Sequence, residues 1–217
     1  MDDGHVESFD SGIWSVVLHF GNAFEKDGKI IIDAPSYEDP SKNPFDLLLF
    51  NNMAEEDLMN QAAGSKYKRF VIDLATGKVD NQDLIVMENG QIDLPIYHPR
   101  IAGKEYCYSY LLKLFQGDDE LDEHFNFPIV KYDICNRREV ATWGEGMFAA
   151  QEVQFVPNPH GMDEDDGLLL VVGYRMMDQE TAMFVIDAKT METVQEFKTP
   201  FKLPMAFHAS YWPAVKF

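Results

Sequence analysis

Cysteine is scarce in this 217-residue chain, with only Cys107 and Cys135. They lie in apolar, strand-like segments without a CxxC spacing, and a chain of this size has no need of a covalent staple. Reduced, buried thiols are therefore expected. Positive charge is also scarce: 18 Lys+Arg stand against 37 Asp+Glu, for a net charge of −19. Nucleic acid is repelled by such a field, and no local basic patch overrides it. No apolar run approaches the roughly 20 residues that a membrane-spanning helix needs. The first residues, MDDGHVESFDSG, lack the apolar stretch of a secretory signal. Together these absences predict a cytoplasmic protein, with shallow attachment to a membrane surface left open.

Apolar residues make up 46% of the chain and aromatics 13%, enough for one sizeable core. They come in short runs bounded by Gly, Pro, Asn and Asp, at 14–19, 29–33, 69–74, 129–134, 168–174 and 182–187. This pattern predicts an all-β chain. One stretch, 44–63, carries Leu, Met and Ala at helical spacing and predicts a short helical insertion.

A unit recurs in which an apolar strand ends in Asp, turns, and starts a second strand, with the aspartates at Asp33, Asp73, Asp133 and Asp187. Asp at a strand end accepts hydrogen bonds from turn amides. The intervals resemble the roughly 40 to 50 residues of a propeller blade, which predicts a β-propeller portion of about four blades. A β-sandwich would place its turns closer together. The acidic runs at 117–123 and 163–166 read as solvated loops. Calcium at 162–167 would have oxygens from Asp163, Glu164, Asp165 and Asp166, but the glycine spacing departs from the EF-hand loop. An exposed hairpin connection is the simpler expectation.

Six histidines are present, at positions 5, 19, 98, 124, 160 and 208. His19, in SVVLHFGNAFE, and His208, in LPMAFHASYWP, stand out because both sit in apolar, strand-like segments. A preorganised imidazole loses little entropy when it takes a metal. Metal-ligating histidines usually donate their other ring N–H to a carboxylate. Glu152, before an apolar strand in QEVQFVPNPHGMDEDDGLLLVVGY, and Asp93, between Ile92 and Leu94, are the candidates. An unpaired charge at Asp93 would be costly to bury.

Six segments, HFGNAFEKDGKIIID, DLPIYHPRIAGKEYCYSY, IVKYDI, QEVQFVPNPHGMDEDDGLLLVV, MFVIDAKTMETV and PMAFHASYWP, occur in the order seen in the C-terminal half of the carotenoid cleavage oxygenases. The chain resembles that family over nearly its whole length. The resemblance implies a seven-bladed β-propeller that holds Fe(II) through four histidines on its axis. Two of these match His19 and His208. Glu152 matches a glutamate that orients a ligand, here His208, and Asp93 falls where a glutamate is typical, beside His19. Its side chain is one methylene shorter, which predicts a long, water-bridged or absent bond to that histidine.

The implied chemistry is oxidative cleavage, with O2, of a conjugated C=C bond in a carotenoid or apocarotenoid to two carbonyl products, as in retinoid metabolism. Retinoid isomerohydrolysis and stilbene cleavage are same-fold alternatives. Nothing matches the motifs that carry the other two histidines, and His5 lies too close to His19 to replace one. The chain, 1–217, is thus expected to be a partial propeller domain without its N-terminal half. Alone, it is expected to be poorly stable and prone to aggregate, and a metal-free binding module is the contrasting reading.

Overall fold

The structure, a computed structural model, describes residues 4–41, 64–87, 90–114, 126–203 and 208–212. The helix expected over 44–63, the acidic run 117–123 and His124 lie outside the described residues. The strands are β1 (Ala23–Lys26), β2 (Lys29–Ser36), β3 (Lys66–Asp73), β4 (Val79–Val86), β5 (Gln91–Ile96), β6 (Tyr108–Leu114), β7 (Ile129–Asp133), β8 (Arg138–Trp143), β9 (Phe148–Pro157), β10 (Gly167–Arg175), β11 (Glu180–Asp187) and β12 (Thr193–Lys198). They form three four-stranded antiparallel sheets, β1-β2-β3-β4, β5-β6-β7-β8 and β9-β10-β11-β12, each a meander. These are propeller blades. The described non-strand regularity is a single 3-10 turn, Pro99–Ile101.

The inner strands of the middle blade, β6 and β7, are buried on both faces, and their sequence shows why. Along β6, Tyr110 and Leu112 pack with Trp143, Phe148, Val153, Leu169 and Phe184 of the middle and third blades. Leu111 points the other way, into a cluster with Phe24, Tyr67, Leu84 and Ile92. Alternation splits β7 likewise, Ile129 joining the first cluster and Val130 the second. A strand buried on both sides reads as a continuous apolar run, and each such Leu or Ile contributes about 1.5 to 3 kcal/mol. β5, at the edge of this blade, meets β2 and β3 of the first blade and β9 of the third.

Among the described residues, the Asp-and-turn repeat resolves to three blades. Asp73, Asp133 and Asp187 each end the third strand of a blade. They accept turn amides from Ala75 and Thr76, from Asn136, and from Lys189 and Thr190 respectively. Asp33 is different. It lies inside β2, in the same blade as Asp73, fully buried, and receives Arg69 Nε and Nη2 at 2.7 and 2.8 Å and the Tyr106 hydroxyl at 2.7 Å. The repeat therefore counted one blade twice.

Two further expectations are overturned by contacts between elements. Cys107 and Cys135 are joined in a disulfide, not reduced. They flank the β6–β7 pair Tyr108↔Asp133, and the Ile134 amide donates to Cys107 O at 2.8 Å. This register brings their Cα atoms to 5.0 Å, a span that suits the bond. The 163–166 turn is only partly solvated. Glu164 accepts the Cys107 and Tyr108 amides of the middle blade, and Asp165, 7% exposed, pairs with buried Lys131. Burial raises the Glu164 carboxyl above its ordinary range, and the two amides act against that rise.

Candidate metal centre

His19 sits on an extended segment, not on the strand expected at 14–19. Ahead of His19 this segment bridges Val16 to Tyr37, through reciprocal hydrogen bonds of 2.9 and 3.0 Å. Just past His19 the chain is pinned again, Gly21 N to Asp33 O at 2.8 Å and Asp33 N to Asn22 O at 3.0 Å. A Cβ on Gly21 would stand 2.2 Å from the Tyr67 hydroxyl, so only glycine fits there. Asn22, buried, donates to Ile101 O and Lys104 O and accepts from Gly103 N and Ala23 N. Its side-chain amide ties the segment that follows His19 to the 101–104 loop.

Asp93 stands in β5, 2% exposed, and its Oδ1 is 3.0 Å from His19 Nδ1. The bond is direct despite the short side chain. The strand itself makes up the difference: register breaks between Asp93 and Ile96, and Leu94 takes a left-handed conformation at φ 52°. That conformation costs a non-glycine residue about 1 to 2 kcal/mol. It lets the Leu94 amide donate to Asp93 Oδ1 at 2.7 Å.

His208 also comes from an irregular segment, so neither imidazole is borne on a strand. Its side chain is 59% exposed, against 26% for His19. Glu152 lies within β9, not at its start, and its Oε2 is 3.3 Å from His208 Nδ1 and accepts the Ala209 amide at 2.6 Å. The two rings face each other edge-on, with centroids 5.4 Å apart and planes at 74°. The hydrogen bond to Asp93 raises the basicity of His19, burial opposes it, and the charges of Asp93 and Glu152 reinforce it.

This arrangement fits one side of a metal site. Each carboxylate engages an Nδ1, so each ring would coordinate through Nε2, the tautomer that such pairs select. With metal–imidazole bonds of about 2.1 Å, two rings in neighbouring positions have centroids roughly 5 Å apart. The observed separation agrees. Two imidazoles alone are short of the three protein ligands that open iron sites commonly use. The other described histidines lie elsewhere: His5 pairs with Glu7, His98 caps the 3-10 turn, accepting the Arg100 amide, and His160 is exposed in the turn after β9, its backbone amide donating to Asn158 Oδ1. The acidic turn has cations of its own, Lys189 at 2.7 Å from Asp163 and Lys131 at 2.7 Å from Asp165.

Sequence reasoning missed Tyr37. Its hydroxyl donates to Asp93 Oδ2 at 2.6 Å, and the residue is 1% exposed. Nothing in SYEDP marks it, because the contact spans 56 residues. A cleft of about 610 Å³ opens beside the His208 segment, lined by Ile96, Tyr97, Phe155, Val156, Pro157 and Tyr211 among others.

The sequence profile of the family described as Retinal pigment epithelial membrane protein matches residues 3–213. The chain belongs to this family, the carotenoid cleavage oxygenases. Among curated members, the apocarotenoid-15,15'-oxygenase of Synechocystis is 28% identical over 90% of this chain and 38% of its own length. The human mitochondrial carotenoid-cleaving dioxygenase is 27% identical over 91% of this chain and 39% of its own length. A crystal structure of the cobalt-substituted Synechocystis enzyme superposes with a TM-score of 0.70 at 26% identity, covering 90% of this chain and 39% of that one. The chain thus spans about two fifths of the oxygenases it matches, and its three blades correspond to part of their propeller-like fold.

Proposed function

We propose that this chain is part of a non-haem Fe(II) dioxygenase that cleaves a conjugated C=C bond of a carotenoid or apocarotenoid, using O2, to two carbonyl products. The observation that carries it is the pair His19 and His208, 5.4 Å apart, each with a carboxylate on Nδ1. The named activities of the related oxygenases support the substrate class.

In this reading His19 and His208 would hold the metal through Nε2, and the N-terminal half of a longer chain supplies the remaining imidazoles. When bound, Fe(II) supplies an open position at which O2 is activated next to the alkene. Asp93 holds the His19 ring, and Glu152 holds both the His208 ring and the backbone after it. Neither carboxylate moves a proton in the reaction; each accepts the ring N–H and fixes the tautomer that leaves Nε2 to the metal. Trp14 and Phe20, near His19, and Trp212, near His208, are exposed. They form surface that the rest of such a protein would cover. A polyene is nearly insoluble in water, so uptake from a membrane surface by peripheral contact belongs to the same reading, as does a cytoplasmic setting.

The test is to express the chain within its longer parent and measure iron by elemental analysis and products by chromatography. Wild type should carry iron and give two carbonyl products. His19→Ala and His208→Ala should abolish both, and Glu152→Gln should lower iron occupancy. Isomerised, uncleaved product would shift the reading to isomerohydrolysis, and iron unaffected by either histidine change would overturn it.

A further inference from the structure

We propose that Tyr37 is a positioning residue for the metal centre, a brace that sets the distance between His19 and Asp93. The proposal rests on the metal reading above and extends it to a residue that touches neither ligand. Tyr37 acts at two points. Its backbone forms the isolated bridge to Val16, three residues before His19 on the same segment. Its hydroxyl donates to Asp93 Oδ2 at 2.6 Å, while Asp93 Oδ1 faces His19 Nδ1 at 3.0 Å. One rigid side chain therefore ties the segment carrying the imidazole to the carboxylate that orients it.

The two carboxylates of the centre differ in just this respect. The Glu152 side chain is 21% exposed and is held by a backbone amide of the His208 segment itself. The Asp93 side chain is 3% exposed, and its Oδ2 takes the Tyr37 hydroxyl, away from both Leu94 N and His19. Aspartate is also the shorter of the two, so it has less reach with which to follow a ring that shifts. Without the phenol, a buried carboxylate oxygen loses its donor, and the carboxylate rotates to recover one. The geometry at His19 changes with it.

The experiment is run on the longer parent, which supplies the remaining imidazoles, and compares wild type with Tyr37→Phe, Asp93→Asn, the double variant, and Tyr106→Phe as a control. Tyr106 is likewise buried and donates to an aspartate, Asp33, that does not contact His19. Two quantities are read: Co(II) affinity from its visible absorption, and the ¹⁵N shifts of the His19 ring in the metal-free chain. Tyr37→Phe should weaken Co(II) binding by about tenfold, the low end of what losing a ligand's hydrogen-bond support costs. It should also move the His19 ring from the Nδ1–H tautomer toward a mixture. In the Asp93→Asn background it should add nothing, and Tyr106→Phe should leave both quantities unchanged even where it lowers the melting temperature. An unchanged His19 ring spectrum in Tyr37→Phe, or an equal change in Tyr106→Phe, overturns the brace. Co(II) uptake insensitive to His19→Ala overturns the metal reading instead, and the metal-free ring spectrum still decides the brace.

Discussion

Lys131 of β7 and Asp165 of the β9–β10 turn form an ion pair at 2.7 Å across two blades, and both residues are buried. The ammonium also donates to Lys189 O at 2.9 Å and stands 4.6 Å from the centre of the Tyr108 ring. A buried ion pair adds little net stability over an apolar pair, but breaking it leaves a charge uncompensated. Asp165→Ala should therefore destabilise the chain by about 3 to 5 kcal/mol in urea unfolding. The double variant Lys131→Met, Asp165→Leu should recover most of that loss. A double variant as unstable as the single would show that the pair's worth lies in attraction rather than in mutual neutralisation.

Acid should weaken the first blade through Asp83. The Lys68 ammonium, itself buried, hydrogen-bonds Asp83 and holds its carboxyl below the ordinary range, against a smaller opposing effect of burial. A carboxyl whose folded value is depressed stabilises the fold above its unfolded value, near 3.9, and that contribution disappears as pH falls through the folded value. Asp83→Asn should melt below wild type at pH 6, and the two curves should converge below about pH 4 as the wild-type carboxylate protonates. A gap that stays constant down to pH 2.5, by scanning calorimetry, would remove the ion pair as its cause.

Reduction of Cys107–Cys135 should have a measurable cost. The bond closes a 28-residue separation, for which the loop-entropy relation gives about 3 to 4 kcal/mol. Thermal melts with and without a phosphine reductant should differ accordingly, and Cys107→Ser, Cys135→Ser should match the reduced protein. Thiol trapping in cells bears on the cytoplasmic setting as well, because a glutathione-buffered compartment keeps such pairs reduced.

Gly21 is required by the approach of Tyr67. Gly21→Ala should destabilise the chain by about 1 to 3 kcal/mol. Since the new Cβ meets the Tyr67 hydroxyl first, at 2.2 Å, Tyr67→Phe in the same chain should restore part of the loss. The restoration should be incomplete, because Asp33 O remains 3.0 Å away. No rescue at all in the melting temperature would place the constraint in the backbone of β2 instead.

The sequence by itself determined the strands at 29–33, 69–74, 129–134, 168–174 and 182–187, three of the turn aspartates, and the family. These are local properties: alternation of apolar residues sets a strand, and an Asp carboxylate caps the amides two or three residues on, so Asp73, Asp133 and Asp187 could be read from their neighbours alone. His19, His208, Glu152 and Asp93 were legible as candidates because their motifs are distinctive. What brings them together was not. The His19–Asp93 contact spans 74 residues and depends on a left-handed Leu94, and the Tyr37 contact depends on the packing of β5 against β2. Register within a blade paired Asp33 with Arg69 and Cys107 with Cys135, and contact between blades seated Asp165 on Lys131, where a turn, free thiols and a solvated loop were expected. Sheet register and the contact between blades are long-range outcomes of packing, and no window of the sequence contains both partners.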